Sequence, residues 1–235
     1  MTKQFGFSTT ADDVIEGYSL AGFNALVTGA STGLGAETAR ALAKAGAAVV
    51  ITARDIPKGE RVAQQIKEST GNQHIEVMKL DLGSLEGVDA FVKAYLGLKR
   101  PLHILVNNAG LQVISKTLTQ DGFEAHFGTN HLGPFRLTLG LIPALQEGAK
   151  QLGKYARVIN VASAAHGIMD VNYEDPNFES TPYDSFFAYG QSKTANILFS
   201  LGLTKRFEAR GIVSNAVHPG IIRTEISVRV LACFK

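Results

Sequence analysis

The chain contains no tryptophan and a single cysteine, Cys233, among 235 residues. An internal disulfide is therefore impossible, which excludes a disulfide-stapled scaffold and suits a reducing compartment. Net charge is also nearly absent: 23 Lys+Arg face 21 Asp+Glu for a formal +2, and no basic run or stripe concentrates it. A nucleic-acid partner selects a dense positive face, so none is expected. No apolar run reaches the roughly 18 residues of a membrane span, and the opening Met1 to Gly6 lacks the apolar core of a signal peptide. His74, His103, His126, His131, His166 and His218 show no metal-ligand spacing, so no metal is expected. Linkers, repeats and low-complexity tracts are missing too, and 45% apolar residues are enough for one substantial core. The expectation is a cytoplasmic protein of one domain, residues 1–235.

What the chain does have is alternation. Short β-branched runs at 25–28, 48–52, 75–80, 104–107, 157–161 and 213–217 follow a polar arm, residues 1–22. Between them lie helical patterns at 35–45, 58–69, 84–96, 121–148 (Pro134 being a candidate interruption) and 188–209. Most runs are continuously apolar, as in parallel strands covered on both faces. Alternating β and α units with right-handed crossovers predict an α/β fold, a doubly wound parallel sheet of order 3-2-1-4-5-6.

Ligands of such sheets lie beyond the carboxyl ends of the strands. Each run here ends in polar or glycine punctuation. The first leads into Thr28, Gly29, Ala30, Ser31, Thr32, Gly33, Leu34 and Gly35, ahead of an alanine-rich helix. Glycines let the backbone approach a pyrophosphate, and a helix N-terminus offers N–H groups and a positive dipole end. The G-x-x-x-G-x-G spacing matches the general dinucleotide fingerprint only loosely, and a plain tight bend is the alternative. The other runs end in Ala53-Arg54-Asp55, Asp81-Leu82, Asn107-Asn108-Ala109-Gly110, Ala162-Ser163 and His218-Pro219-Gly220. Six such ends point to one shared crevice.

Four stretches, in order, three of them at these strand ends, resemble the motifs of the short-chain dehydrogenase/reductase family over residues 20–226. They are Thr28-Gly29-x-x-x-Gly33-x-Gly35, Asn107 to Gly110, Tyr189-Gly190-Gln191-Ser192-Lys193 and Pro219 to Thr224. Asn130-His131-Leu132-Gly133-Pro134-Phe135 is similar to the retinol-dehydrogenase and WW-domain-oxidoreductase branch. The resemblance implies an NADP(H)-dependent oxidoreductase moving a hydride between nicotinamide and a carbonyl or alcohol substrate. Asn130, Ser163, Tyr189 and Lys193 are then the catalytic set. Cofactor contacts are implied at Gly29, Ser31, Thr32, Gly33, Leu34, Gly35, Arg54, Asp81, Leu82, Asn107, Ala109, Gly110, Tyr189, Lys193, Pro219, Gly220, Ile222 and Thr224. Read without the family, Ser163 is equally a turn residue, Asn130 a polar group at a helix kink, and Asp81 the start of the next helix.

Tyr189 and Lys193 stand at i and i+4, on one helix face. A tyrosine working at neutral pH needs its pKa lowered by about three units, roughly 4 kcal/mol. An ammonium about 4 Å away supplies about that much at an effective dielectric near 20. The lysine is thus expected to suffice as activator. At the end of the second run an acidic residue would hold the ribose hydroxyl of NAD. Ala53 and Arg54 stand there instead, and arginine can embrace a 2′-phosphate, so NADP is expected, with Asp55 one residue on as the route to NAD.

Residues 166–187 carry Tyr173, Phe178, Tyr183, Phe186 and Phe187 among acids and prolines. They read either as a substrate lid or as an ordinary surface excursion. The helices over 121–148 and 188–209 resemble the pair through which family members dimerise, so a homodimer is expected. Leu137, Leu141, Leu145, Ile197, Phe199 and Leu203 are available to core and interface alike. After Thr224 a family member continues through a substrate-binding helix and a seventh strand, whereas Glu225 to Lys235 end this chain. A shortened C-terminus, an uncovered sheet edge at 213–217 and impaired turnover are expected on that basis. The alternative function is an NADP-binding protein with little turnover that acts through partners.

Overall fold

The computed structural model describes residues 5–220 and 222. The expectations for Thr224, Cys233 and the rest of the segment 223–235 lie outside the described residues. Six parallel strands form one sheet: β1 (Asn24–Val27), β2 (Ala48–Ala53), β3 (Ile75–Lys79), β4 (Ile104–Asn107), β5 (Ala156–Val161) and β6 (Ile212–Val217). Their order is β3-β2-β1-β4-β5-β6. Ala25 at the centre registers with Val49 on one side and Ile104 on the other. The order switches direction at β1, so the loops after β1 and β4 diverge and open a crevice above the sheet.

One face is covered by α2 (Gly33–Lys44) and α3 (Ile56–Thr70). Ala39 and Ala43 belong to the same core as Ala25, Val27, Val49 and Ile51, small side chains that bring α2 close to the strands. Helix α3 begins where Asp55 accepts from the Lys58 N–H and stops at Gly71, whose φ of 74° favours a residue without Cβ. The opposite face is covered by α4 (Leu85–Gly97), α6 (Gly133–Gly140), α7 (Ile142–Leu152) and α8 (Ser185–Phe207). Phe91, Leu137, Leu141, Leu145, Phe199 and Leu203 form its core with Leu105 and Val158. Among the described residues, the β4–β6 half of the α2 face is a groove of about 350 Å³ lined by Ile104, Ile159, Val161 and Val217.

Two expectations need correction. The arm is not merely polar chain. It carries a short helix, α1 (Ala11–Ile15), opened by a Thr10–Asp13 capping box. Asp12 bridges from it to Arg40 and Lys44 on α2, at 2.7 and 2.6 Å. The long helix over 121–148 is not one helix either: a π-helical irregularity ends just before Pro134, and a clean break follows further on. A single turn, α5 (Ala125–Phe127), runs into a π-helical turn at Gly128–Leu132, then α6, and the break falls at Leu141. Pro134 and Pro143 are each the second residue of their helices, α6 and α7.

Candidate active site

The glycine turn is built around Thr28. Its Oγ1 accepts from the Asn108 and Ala109 N–H groups, each at 3.0 Å, and so staples the end of β1 to the loop after β4. Gly29 adopts φ 63°, and a Cβ on it would lie 2.8 Å from Ala109. On Gly35 a Cβ would collide with the Asn108 amide and approach the Gly29 carbonyl to 2.6 Å. Both positions therefore require glycine for the protein's own packing. The amides at the start of α2 are not taken by a capping side chain, since Thr32 makes no such bond. In contrast, α3, α4 and α8 are capped by Asp55, Ser84 and Asp184. A helix N-terminus left uncapped beside a glycine turn fits an anionic pyrophosphate. Leu34, Gly35, Ser31 and Gly33 all lie on this turn.

At the end of β2, Arg54 is exposed while Asp55 is engaged as the cap of α3. After β3, Asp81 accepts from the Gly83 N–H at 2.9 Å, and the helix start belongs to Ser84. Leu82 is buried in the core, leaving its backbone for any ligand. Asn107 points its amide into the protein, donating to Thr138 at 2.9 Å and Asn160 at 2.8 Å. Its Oδ1 is buried and, among the described residues, has no hydrogen-bond partner. Pro219 lines the groove together with Leu34 and Asn108, which brings the loop after β6 to the glycine turn. Gly220 and Ile222 are exposed beyond it.

The four residues expected to be catalytic converge. Tyr189 shares a hydrogen bond with Ser163, and the Lys193 ammonium lies 5.4 Å from the Tyr189 ring centroid. Lys193, only 4% exposed, donates to the Val161 carbonyl at 3.0 Å. A Cβ on Gly110 would lie 3.3 Å from Asn130 Oδ1 and 3.6 Å from Lys193 Nζ, so that loop rides directly over both. Asn130 grips the loop at Leu111, accepting from its N–H at 2.8 Å and donating to its carbonyl at 3.0 Å.

Burial sets the electrostatics of the pair. Burial holds the Tyr189 phenol above its usual value, and the Ser163 hydrogen bond opposes that. Burial also brings Lys193 down to about 8. Burial thus disfavours the charged form of both groups.

Sequence reasoning passed over Asn196. Its amide donates to the Asn130 carbonyl at 3.0 Å, the group Pro134 cannot serve because it lacks the N–H four residues on. Its position seven residues after Tyr189 and three after Lys193, on the same helix face, was the available signal. Asn130 thus joins the site and is at the same time the polar group of a helix irregularity.

A doubly wound sheet with an uncapped helix at its first turn and a Ser–Tyr–Lys cluster over the strand ends defines a dinucleotide-binding α/β protein. The short chain dehydrogenase family model matches residues 24–232, and the chain belongs to that family. It is 46% identical to mouse (Mus musculus) retinol dehydrogenase 12 over 202 residues, 86% of this chain and 62% of that protein's length. The chain thus spans less than two thirds of the curated relative it matches. Among solved structures, it resembles an uncharacterised protein from Mycobacterium paratuberculosis at TM-score 0.75 and 40% identity, covering 90% of this chain and 73% of the other. The Pseudomonas aeruginosa RhlG/NADP complex matches at TM-score 0.74 and 30% identity, over 91% and 78% of the two chains. Among the described residues no helix is long and apolar enough to cross a membrane.

Proposed function

We propose that the chain is the catalytic domain of an NADP(H)-dependent oxidoreductase that interconverts a carbonyl and an alcohol. The observation that carries this reading is the convergence of Ser163, Tyr189 and Lys193 above the strand ends. NADP(H), when bound, supplies the hydride or takes it up. The uncapped start of α2 would hold its pyrophosphate, and Arg54 its 2′-phosphate. Asp55, the residue that would favour NAD, has its Oδ1 engaged as the cap of α3.

Ser163 and Tyr189 share a hydrogen bond, so both hydroxyls can address one substrate oxygen. In reduction, Ser163 donates to that oxygen as negative charge builds on it, and Tyr189 delivers the proton. Lys193 stabilises the tyrosinate that this leaves behind. Asn130 and Asn196 hold the surrounding backbone. The retinol dehydrogenase relatives make apolar alcohols and aldehydes the first substrates to try. The exposed apolar residues of α6 and α8 support a homodimer.

The test follows NADPH absorbance at 340 nm with a panel of apolar aldehydes, ketones and quinones. Saturable oxidation of NADPH is expected. Tight NADPH binding with no turnover across the panel would refute the enzymatic reading.

A further inference from the structure

Behind Tyr189 lies a buried charge that the chemistry above does not use. Glu124 and His126 are both fully buried. Glu124 Oε1 accepts from His126 Nδ1 at 2.8 Å and from the Tyr183 hydroxyl at 3.2 Å, while Oε2 accepts from the Phe127 N–H at 2.8 Å. Burial pushes this carboxyl up, but the bonds from His126 and Phe127 outweigh it and hold Glu124 below the usual carboxylate range. A buried carboxylate so fully satisfied is costly to disturb.

The tautomer of His126 follows from the geometry. Nε2 accepts the Val113 N–H at 3.1 Å, so it carries a lone pair, and the ring proton sits on Nδ1 facing Glu124. The ring stands edge-on to Tyr189, with centroids 6.0 Å apart at 76°. Val113 is three residues past Gly110, on the loop that rides over Lys193 and Asn130. Through one imidazole, Glu124 thus reaches the reacting tyrosine and the loop beside it.

The same carboxylate reaches the segment 166–187. Besides Tyr183, the Glu124 N–H donates to Asn177 at 2.9 Å. Phe178 is buried at a φ of 53°, unusual for a side chain with Cβ, and packs edge-on against Tyr183 at 5.6 Å. Lys116 donates to its carbonyl at 2.7 Å. Gln191, two residues beyond Tyr189, holds the Pro176 carbonyl and the Asn172 N–H, both at 3.0 Å. The segment is pinned as a wall.

We propose that Glu124 and His126 are positioning residues for the reaction: the buried carboxylate sets the His126 ring, which fixes Tyr189 and the 110–113 loop, and through Tyr183 it locks the adjacent wall. The proposal rests on the oxidoreductase reading. An amide at position 124 cannot accept from both sides, so either the His126 or the Phe127 donor loses its acceptor. Tyr183→Phe removes the hydroxyl's contacts with Glu124 and, at 3.4 Å, His126 Nδ1, and leaves the rest.

The experiment compares wild type, Glu124→Gln and Tyr183→Phe in three measurements. These are NADPH affinity by fluorescence, kcat and KM with an aldehyde found to turn over, and [13C]tyrosine NMR with amide exchange. Glu124→Gln should lower kcat by about tenfold or more with NADPH affinity held within about twofold. It should shift the Tyr189 resonance, identified with Tyr189→Phe, and speed exchange at 110–114 and 176–184. Tyr183→Phe should raise KM with little change in kcat and loosen only the wall. An unmoved Tyr189 resonance in Glu124→Gln, or exchange that rises across the whole sheet with NADPH affinity lost in step, would overturn the proposal. If wild type shows no turnover, the oxidoreductase reading falls while the NMR and exchange results still decide whether Glu124 positions Tyr189.

Discussion

Lys193 holds its ammonium 5.4 Å from the Tyr189 ring centroid while bonded to the Val161 carbonyl, with burial bringing it down to about 8. The reference value is 10.5, so the unfolded chain binds more protons than the folded one between about pH 8 and pH 10.5. Stability contributed by this group therefore rises with pH across that window. Below about pH 8 both states are protonated, and the burial penalty, about 3 kcal/mol, is fully present. Lys193→Met should be more stable than wild type at pH 7, and its advantage should shrink toward pH 10. Urea unfolding at several pH values measures this, and a gap independent of pH would contradict it.

Tyr189→Phe keeps the ring that packs against His126 and removes only the hydroxyl. Turnover should fall by about a hundredfold or more, the range of general acid–base catalysis. NADPH affinity should change little. Near-normal kcat in this variant would remove Tyr189 from the chemistry.

Arg54 is exposed at the end of β2 with its neighbour Asp55 committed to α3. Arg54→Ala should weaken NADPH binding by about ten- to hundredfold, the worth of a charge-assisted bond. NADH binding should barely move. Equal losses for the two cofactors, titrated by fluorescence, would show that Arg54 does not read the 2′-phosphate.

The sheet was legible in the sequence because parallel strands buried on both faces leave unbroken apolar runs, and each β unit lies within a residue or two of its expected place. The site was legible where its spacing is local, as in Tyr189 and Lys193 one helical turn apart. Other features depended on contacts far apart in sequence. Nothing local announces that Asp12 will bridge to Arg40, or that Asn107 will turn its amide into the core. Glu124 and His126 lay inside a stretch that read as continuous helix. A π-helical turn has no sequence period of its own, so neither its place nor the break at Leu141 could be read. The burial of Tyr189 and Lys193 was hidden for a related reason: spacing gives the distance between them but not the burial that disfavours the charged form of each.

The residues open to core and interface alike mostly belong to the core. Leu137, Leu141, Leu145 and Leu203 are buried within the protomer, whereas Phe135, Leu139, Leu198 and Leu201 are exposed, Leu201 at 65%. Phe135 packs on Phe199 with centroids 4.9 Å apart, so α6 and α8 are neighbours. If the proposed homodimer forms there, Leu201→Asp should convert it to monomer with the fold intact. Light scattering at tens of micromolar checks this, and a wild-type monomer would dispose of the interface.

Thr28 offers the sharpest test of how the crevice is built. Its methyl and hydroxyl are both buried, and the hydroxyl alone receives two backbone N–H groups and donates to the Val106 carbonyl at 3.3 Å. Thr28→Val keeps the shape and deletes the oxygen, leaving the Asn108 and Ala109 amides without that acceptor. Each orphaned amide costs about 1–3 kcal/mol, so the loss should be about 2–6 kcal/mol. Thr28→Ser keeps the oxygen and loses a methyl, worth about 1 kcal/mol. Because the freed loop also carries Gly110 over Lys193, the valine variant should bind NADPH more weakly than the serine variant. Thermal unfolding and NADPH titration of the pair separate the hydroxyl from the methyl. Equal stability and equal affinity for the two would mean that packing, and not the hydrogen-bonded staple, holds β1 to the loop after β4.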